Sequence, residues 1–581
     1  MSWILAAINT PANVSETARG LVSQTPSSLF ESRSESHFIA AGGIPETCHY
    51  HQDQEAKNGW IVVGLGLQLQ LASHSCTTLS QSDWQHILTQ DVPPLPKDGH
   101  FALIKWQHGK MEAFTDTLGT RTLYYATIGE GIIVSTRLDW VTQLAGTHEI
   151  DFSNFGSHWL AFNQLDFAPL IKNTGRLGSK GHLQFERGHS TAQHTPWSPD
   201  TDQLQKPGLK QVLEAFTNPV LPQPLTVSLG LSGGLDSRTL LALVNQPSTT
   251  SLHTFGSIEK ADVRIAIDIA KSVDLPHVLL YEDVPGPDEC LQLLQHQVAQ
   301  TQAMTNASAV LGLRYYNVLR KNNRAVIDGG FGEAARRQFM NRLLRQGKSV
   351  LQQQNFEAIL PFIATPRAGL FNPDTQKRME AGVARQFEQA WQELPPHSAF
   401  GLENALDLLS TRSRLPNFFG FEQNRLDGLI LNYMPFAQPS VLDAVFNTPV
   451  NSRKEGRQFK QMIKSRLTTL TDFQLVKGAY QYPFRLSSTG AYIWTKIKAK
   501  IKPVQPDSLQ HLFLEAMRPF ALDTLSSAAT KTYAPYDYRI IRRNVEGYYA
   551  GEKQLALYVD WWLSFEVWRQ QLQNQSQASL L

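Results

Sequence analysis

Residues 225–244 read LTVSLGLSGGLDSRTLLALV, and this stretch decides the fold of the larger part of the chain. The apolar run from Leu225 to Leu231 has the length and composition of a buried strand, and the segment from Ser237 to Val244 is typical of a helix. A polar turn with two adjacent glycines separates them. The stretch therefore predicts a strand–turn–helix unit, from which parallel α/β sheets are built.

The turn has the composition of a phosphate-binding loop. Adjacent glycines let the backbone approach phosphate oxygens closely, and the following helix presents its positive end to the same anion. Asp236 adds negative charge, which suits a ligand of the Mg²⁺ that accompanies a triphosphate. The alternative is a structural Gly-Gly turn in which Asp236 only caps the helix. The Walker pattern GxxxxGK[ST] is absent. The candidate nucleotide-binding residues are Leu231, Ser232, Gly233, Gly234, Asp236 and Ser237.

Further strand and helix signals follow this unit in alternation. Leu252–Phe255, Val278–Tyr281 and Ala325–Ile327 have strand composition, and helical segments separate them. Strands alternating with helices predict a doubly wound parallel sheet. From Phe339 onward, the periodicity predicts a mostly helical part, in which Leu557, Trp561, Phe565 and Trp568 mark one apolar helix face.

The amino-terminal part has a different pattern. From Trp3 to about Leu144, short apolar runs alternate with polar clusters, which predicts a β-rich region; His108-Gly109-Lys110 predicts a hairpin connection. Polar residues, Pro196 and Pro199 then favour a linker over residues 191–207. We therefore expect two domains, residues 1–190 and 208–581.

Composition excludes several classes of partner. The 581 residues include 53 Lys plus Arg and 51 Asp plus Glu, so no global field attracts nucleic acid or an acidic membrane. Three scattered cysteines form neither a disulfide framework nor a CxxC metal clip. No run approaches the roughly 20 apolar residues of a membrane span, and the start lacks a signal-peptide pattern. These features predict a cytoplasmic enzyme without nucleic-acid or membrane partners.

The string SGGLDS at 232–237, together with the acidic glycine-rich string DGGFGE at 328–333, resembles the N-type ATP pyrophosphatase superfamily. It is most similar to the synthetase domain of asparagine synthetase and its relatives, beta-lactam synthetase and the lasso peptide cyclases. The resemblance spans nearly the whole chain. It implies ATP and Mg²⁺ as cofactors, cleavage of ATP between the α- and β-phosphates, a carboxylate activated as an adenylate, and an amine that displaces AMP.

The resemblance also implies roles for residues outside the first loop. Each role has a plainer alternative: a turn for the second loop, a solvated surface position for the lysine, and structural positions for the two candidate bases. For Asp262, an interaction with the helix dipole is as plausible as a functional role. The implied residues are Asp328, Gly329 and Ser257 for the nucleotide, Glu333 with Asp236 for the metal, Lys477 for the pyrophosphate, and Glu422 and Tyr433 as candidate bases.

The segments Asp98–Leu103 and Asp116–Tyr125 resemble the later half of the class II glutaminase domain. This resemblance implies an N-terminal nucleophile (Ntn) hydrolase-like fold, in which helix layers enclose two β-sheets. Glutaminase chemistry requires a cysteine immediately after the initiator methionine, and Ser2 stands there. Asn58-Gly59-Trp60 is at best a remnant of the glutamine-binding segment. We therefore expect a degenerate domain that serves as a scaffold, as in beta-lactam synthetase.

These observations together predict an ATP-dependent, AMP-forming amide ligase without glutaminase activity. Its substrates would be a small-molecule or peptide carboxylate and an amine, joined within one molecule, as in lasso or beta-lactam ring closure, or between two. Biosynthetic partner proteins are possible. Two alternatives are an asparagine synthetase-like amidotransferase that uses ammonia, and a non-catalytic nucleotide-binding regulatory protein.

Overall fold

The structure is a computed structural model that describes residues 2–90, 92–200, 207–281, 283–396, 400–501 and 508–578. It is a mixed α/β protein with several sheets and many helices. The strands are β1 Trp3–Ile8, β2 Ser28–Arg33, β3 His37–Gly42, β4 Cys48–Gln52, β5 Asn58–Gln70, β6 Ser75–Thr78, β7 Asp98–Gln107, β8 Lys110–Thr115, β9 Tyr124–Ile128, β10 Gly131–Ser135, β11 Gly175–Arg176, β12 His182–Glu186, β13 His189–Gln193, β14 Pro219–Val220, β15 Thr226–Gly230, β16 Thr250–Phe255, β17 His277–Leu280, β18 Arg324–Ile327, β19 Asn432–Tyr433, β20 Leu475–Lys477 and β21 Tyr480–Tyr482.

The α-helices alternate with these strands in the middle of the chain and dominate its last third. They are α1 Ala12–Ser23, α2 Gln81–Leu88, α3 Leu138–Ala145, α4 Phe152–Leu160, α5 Leu209–Thr217, α6 Leu235–Leu243, α7 Ala261–Ser272, α8 Pro287–Thr301, α9 Tyr316–Lys321, α10 Gly332–Ala335, α11 Asn341–Gln346, α12 Lys348–Gln353, α13 Leu360–Ile363, α14 Pro373–Gln392, α15 Leu402–Arg414, α16 Gly420–Leu426, α17 Pro439–Asn447, α18 Val450–Arg453, α19 Arg457–Arg466, α20 Ser488–Ile501, α21 Ser508–Ala516, α22 Arg518–Ser526, α23 Ala528–Lys531, α24 Tyr538–Tyr549 and α25 Ala556–Ala578.

Two largely antiparallel sheets form the amino-terminal part. The first has the order β11-β9-β10-β1-β3-β2, and the second has the order β13-β12-β8-β7-β5-β6-β14, with β4 also paired to β5. Successive side chains of β1 point to opposite faces of the first sheet. Ile4 packs in the hydrophobic cluster between the two sheets, whereas Leu5 packs on the other face, against α1 and α3. Helix α2 covers the outer face of the second sheet through Trp84. The layers are therefore helix, sheet, sheet and helix.

The predicted hairpin connection is present between β7 and β8. His108 and Gly109 both have positive φ, 47° and 80°, as the two-residue turn of a tight hairpin requires. Trp106 pairs with Met111 across it. The local sequence therefore fixes this register.

The third sheet is parallel and has the order β17-β16-β15-β18-β19. The chain runs from β15 outward to β16 and β17, and then returns to place β18 on the other side of β15. The strand order thus reverses beside β15, where open α/β sheets bind ligands. The parallel pairing predicted for these strands is present, and α6 begins at Leu235, two residues before the predicted start.

The helical carboxyl-terminal part is present as predicted, but the apolar face of its last helix differs from the prediction. Trp561, Phe565 and Trp568 are buried, whereas Leu557 is 45% exposed. Trp562 is also buried. Other elements surround this part of α25 on more than one side, so burial follows the tertiary packing as well as the helical period.

Hydrophobic clusters join the two predicted domains. Strand β14 pairs with β6 across the predicted boundary, and one cluster contains both Phe155 and Phe565. The first residues of the predicted linker belong to β13, which ends at Gln193, and residues 201–206 lie outside the described ranges. The two-domain division stays a prediction. None of the described helices combines the length and the apolar character needed to cross a bilayer.

Candidate functional site

The loop between β15 and α6 is ordered by its own serines. The Ser232 N–H donates to Ser237 Oγ at 3.1 Å, and the Gly234 N–H donates to Ser232 Oγ at 3.1 Å. The two hydroxyl oxygens lie 3.0 Å apart. These bonds hold the backbone in a tight turn at the amino terminus of α6, where the helix dipole favours an anion.

Two neighbouring segments fix Gly233. Its N–H donates to Asp262 Oδ1 at 2.8 Å, and its carbonyl accepts from the Val476 N–H at 3.0 Å. A Cβ at Gly233 would lie 2.6 Å from Val476 Cγ2, so a side chain does not fit there. Asp262, for which two interpretations were open, therefore anchors the loop. Burial raises the pKa of Asp262, while the Gly233 N–H opposes that shift.

The acidic glycine-rich loop lies directly beside the first loop because β18 pairs with β15. A Cβ on Gly329 would lie 3.0 Å from the Ser237 nitrogen, and one on Gly332 would lie 2.5 Å from Asp236 Cγ. Asp328 accepts the Gly330 N–H at 2.6 Å. Glycine is thus required where the two loops approach each other.

A cavity of about 550 Å³ opens between these loops and the β20–β21 hairpin. Its walls combine main-chain groups, charged side chains and aromatic rings. Eight predicted site residues line it: Leu231, Ser232, Gly234, Asp236, Ser237, Asp328, Gly329 and Lys477. The strand ends of β15, β16 and β18 therefore converge on one site.

Asp236 is paired with an arginine that the sequence reasoning did not identify. Arg336 Nη2 donates to Asp236 Oδ2 at 2.6 Å, and Arg336 Nε lies 2.5 Å from Oδ1. Burial raises the pKa of Asp236, Arg336 opposes that shift, and Glu333 adds to it. The sequence did contain a signal for this pair. Arg336 closely follows the glycine-rich residues 328–333, and a buried carboxylate such as Asp236 requires a positive charge nearby.

Lys477 lines the cavity at the end of β20 and is exposed. Its Nζ lies 5.8 Å from the centre of the Tyr492 ring. Partial burial lowers its pKa below the ordinary value, and the positive charges of Arg336 and Arg345 lower it further. Arg336 and Arg345 thus add their positive charges to that of Lys477 at this side of the cavity.

Glu333 lies in the first turn of α10, and its Oε1 is 3.5 Å from Arg414 Nε. The negative charge of Glu333 raises the pKa of Asp236. Within the described ranges, no three histidine, cysteine, aspartate or glutamate side chains cluster as metal ligands. Mg²⁺ is usually held by one or two carboxylates plus substrate phosphates. Asp236, which lines the cavity, therefore fits a metal that arrives with a polyphosphate, whereas Glu333 is not among the lining residues and is paired with Arg414.

The remaining predicted residues occupy different places. Ser257 lies beyond β16, where its Oγ accepts the Glu259 N–H at 3.2 Å, away from the lining of the cavity. Glu422 is paired with Arg425 and is not among the residues that line the cavity, although its charge raises the pKa of two that are, Asp328 and Tyr316.

Tyr433 is separated from the cavity. It is 1% exposed, and its hydroxyl donates to the Phe216 carbonyl at 2.6 Å. Burial raises the pKa of this phenol well above its ordinary value. These contacts give Tyr433 a structural position and not that of a base.

Further residues complete the walls, and of these the sequence identified neither Tyr316 nor Gln338. Phe255 and Tyr316 lie at one end, with ring centres 5.2 Å apart. At the other end Gln338 bridges two elements, since its Oε1 accepts from Arg336 at 2.8 Å and its Nε2 donates to Ser488 Oγ at 2.7 Å. No local motif marks these residues, because distant segments bring them together.

Ser2 lies elsewhere, in the amino-terminal sheets. It has no solvent exposure, its Oγ donates to the Asp427 carbonyl at 2.9 Å, and it lies 2.5 Å from Thr47 Oγ1. Arg121 donates to the Ser2 carbonyl. The hydroxyl is therefore enclosed by hydrogen-bond partners.

No family model matches the chain, and no curated protein matches it. Among solved structures, it is similar to the glutamine phosphoribosylpyrophosphate amidotransferase from B. subtilis complexed with ADP and GMP. The likeness has 10% sequence identity and a TM-score of 0.22, and covers 56% of this chain and 81% of that one. At these values, the likeness assigns neither a family nor an activity to this chain.

Proposed function

We propose that this chain is an ATP-dependent, AMP-forming amide ligase of the asparagine synthetase-like group. The observation that carries the proposal is the cavity at the reversal of the parallel sheet. There a serine-braced glycine loop, a helix amino terminus, three aspartates and two cations meet. The first loop and helix α6 suit phosphate groups, and the acidic residues suit an accompanying Mg²⁺.

The charge of each side chain determines its proposed role. The hydroxyls of Ser232 and Ser237 and the first N–H groups of α6 would bind phosphate oxygens, and Asp236 together with Glu333 would hold the metal. ATP supplies the activating group for the carboxylate. Lys477 would stabilise the charge that develops when pyrophosphate leaves, because a cation beside the leaving group lowers the energy of that charge.

The proposal includes the folds of the two predicted domains. Residues 208–581 form an ATP pyrophosphatase domain around the parallel sheet, and residues 1–190 form a degenerate Ntn hydrolase-like domain. The enclosed hydroxyl of Ser2 supports the absence of glutaminase activity, since glutamine has no approach to it. The amine therefore comes from a substrate. The three buried free cysteines suit a reducing compartment such as the cytoplasm.

The carboxylate and the amine enter beside the nucleotide. Glu422 is the better of the two candidate bases, because it lies near Tyr316 and Asp328 at the cavity wall whereas Tyr433 is buried in the core. A base must lie within hydrogen-bond reach of the attacking amine. Small-molecule or peptide acids are the proposed substrate class.

The test is pyrophosphate and AMP formation from ATP and Mg²⁺ with a panel of amino acids and short peptides. We expect release that depends on the acid, and an amide product that forms without glutamine. Product formed only with ammonia would indicate an ammonia-using amidotransferase instead. ATP binding without pyrophosphate release for any acid would favour a non-catalytic nucleotide-binding protein.

A further inference from the structure

Arg336 occupies the face of Asp236 that the proposed function assigns to a metal ion. Its guanidinium spans both carboxylate oxygens, at 2.6 Å from Nη2 to Oδ2 and 2.5 Å from Nε to Oδ1. The side chains of Asp236 and Arg336 are 19% and 15% exposed. The hydrogen bond is the single one from Nη2 to Oδ2, since Nε and Oδ1, although close, have no hydrogen-bond partner among the described residues.

Arg336 shares the cavity with a second cation, Lys477, and with the carboxylates of Asp236, Asp262 and Asp328. Lys477 and Arg345 act on the same region, and Arg336 itself depresses the pKa of Lys477. Gln338 carries no charge and accepts from Nη1 at 2.8 Å. An incoming polyanion would therefore find more than one cation at this wall of the cavity.

Arg336 also lies at the point where three segments meet. It follows the short helix α10, Gln338 connects it to Ser488 at the start of α20, and a Cβ on Gly456 would lie 3.4 Å from its Cδ. Its base is thus enclosed, while its guanidinium lines the cavity.

We propose that Arg336 is a polyphosphate-binding residue that rests on Asp236 in the free protein and turns to phosphate when a divalent cation takes Asp236. This inference rests on the proposed function, since it concerns the same site. Arg336 and the metal compete for one carboxylate, so the free protein keeps a cation beside Asp236. The exchange then delivers a second cation to the polyphosphate.

Because Arg336 and the metal compete for Asp236, removing Arg336 should change the metal affinity and the phosphate affinity in opposite directions. General structural damage would weaken both. Removing Arg336 frees Asp236 for a metal and removes a phosphate contact. The variant Arg336→Met is titrated calorimetrically with MnCl₂ alone, and separately with pyrophosphate in EDTA. We expect Mn²⁺ to bind about tenfold more tightly and pyrophosphate about tenfold more weakly, the scale of one charged hydrogen bond.

Two further variants complete the experiment. Arg342→Met removes the same charge from an exposed position nearby, and we expect it to change neither affinity by more than about twofold. Asp236→Asn leaves Arg336 without its partner, so we expect weaker Mn²⁺ binding and tighter metal-free pyrophosphate binding. Equal affinities in Arg336→Met and Arg342→Met, or changes in the same direction for both ligands, would overturn the exchange.

The outcome is separable from that of the proposed function. If the two affinities change in opposite directions but no acid elicits pyrophosphate release from ATP, the ligase proposal fails and the exchange stands. If acids elicit release while Arg336→Met binds both ligands as Arg342→Met does, the exchange fails and the ligase proposal stands. Absence of pyrophosphate binding in the unaltered protein, with or without metal, contradicts both.

Discussion

Lys477 is accessible, lines the cavity and makes little contact with the core, so its replacement tests chemistry more than folding. We predict that Lys477→Met lowers the rate of pyrophosphate release about 10²–10³-fold, the usual effect of removing one electrostatic group from an active site. The thermal midpoint should stay close to that of the unaltered protein. Lys271→Met, on the exposed side of α7, is the control. Equal rates in the two variants would refute the role.

The same residue predicts a pH dependence. Burial and two arginines lower the pKa of Lys477, so this group loses its proton at a lower pH than a free lysine does. Since the protonated form is the active one, the rate should fall as pH rises through that pKa. Lys477→Arg should shift the alkaline decline to higher pH, because arginine stays charged. An unchanged decline in a pH–rate profile would assign it to another group.

A third prediction concerns Gly332. Its missing side chain leaves room for Asp236, since a Cβ would lie 2.5 Å from Asp236 Cγ. Gly332→Ala should displace this carboxylate and weaken ATP binding in the presence of Mg²⁺ about tenfold. Gly312→Ala, where a Cβ meets nothing within 4 Å, is the matched control for calorimetric titration. Equal ATP affinities in the Gly332→Ala and Gly312→Ala variants would show that the two loops accommodate the extra methyl group at little cost in free energy.

Among the elements, the β20–β21 hairpin reaches the site through an anchor in α6. Arg238 is fully buried and donates to the carbonyls of Leu470 and Phe473, and also to those of Gly233 and Gln474. Burial lowers its pKa to about 10. The arginine thus ties the segment that carries Lys477 to the phosphate loop.

We predict that Arg238→Met loosens this hairpin before the rest of the molecule. Leaving the buried carbonyls without a donor should cost about 2–4 kcal/mol. Hydrogen exchange should increase over residues 470–482, and the rate should fall with it. Arg264→Met, exposed on α7, serves as comparison. Uniform exchange across the chain would mean that the anchor supports the whole fold and not one element.

The sequence predicts the elements that short-range rules control. The strand–turn–helix around residues 225–244, the parallel partners β16 and β18, and the turn at His108-Gly109 follow from composition and period. Eight of the predicted site residues line one cavity because the carboxyl ends of parallel strands meet at one edge. Arg336, Gln338 and Tyr316 escaped prediction because long-range packing sets their places. The contacts of the buried Tyr433 hydroxyl with Phe216 and Cys76 are likewise set by long-range packing.

For the whole molecule, Asp427 connects the amino-terminal sheets to the carboxyl-terminal part. It is fully buried, pairs with Arg121, and lies 3.0 Å from His100 Nε2. Asp427→Ala leaves a buried guanidinium uncompensated, so we predict a loss of about 3–5 kcal/mol. Glu55→Ala removes an exposed pair with Lys57 and should cost little. Equal thermal midpoints in these two variants would contradict this prediction.

The shared cores decide whether the predicted domains fold separately. Phe155 and Trp159 of the first region pack in one cluster with Trp562 and Phe565 of the second, with Phe155 and Phe565 ring centres 5.6 Å apart. Expressed alone, residues 208–581 would expose this surface, and large apolar patches of this kind drive association.

We therefore predict that the fragment 208–581 is aggregated or partly unfolded, as judged by size-exclusion chromatography and near-ultraviolet circular dichroism. Co-expression with residues 1–200, which keep β13 whole, should restore a folded complex, because the same contacts form between separate chains. A monomeric fragment with native-like near-ultraviolet spectra and ATP binding would instead establish an independent domain. The amino-terminal region would then serve something other than the stability of the parallel sheet.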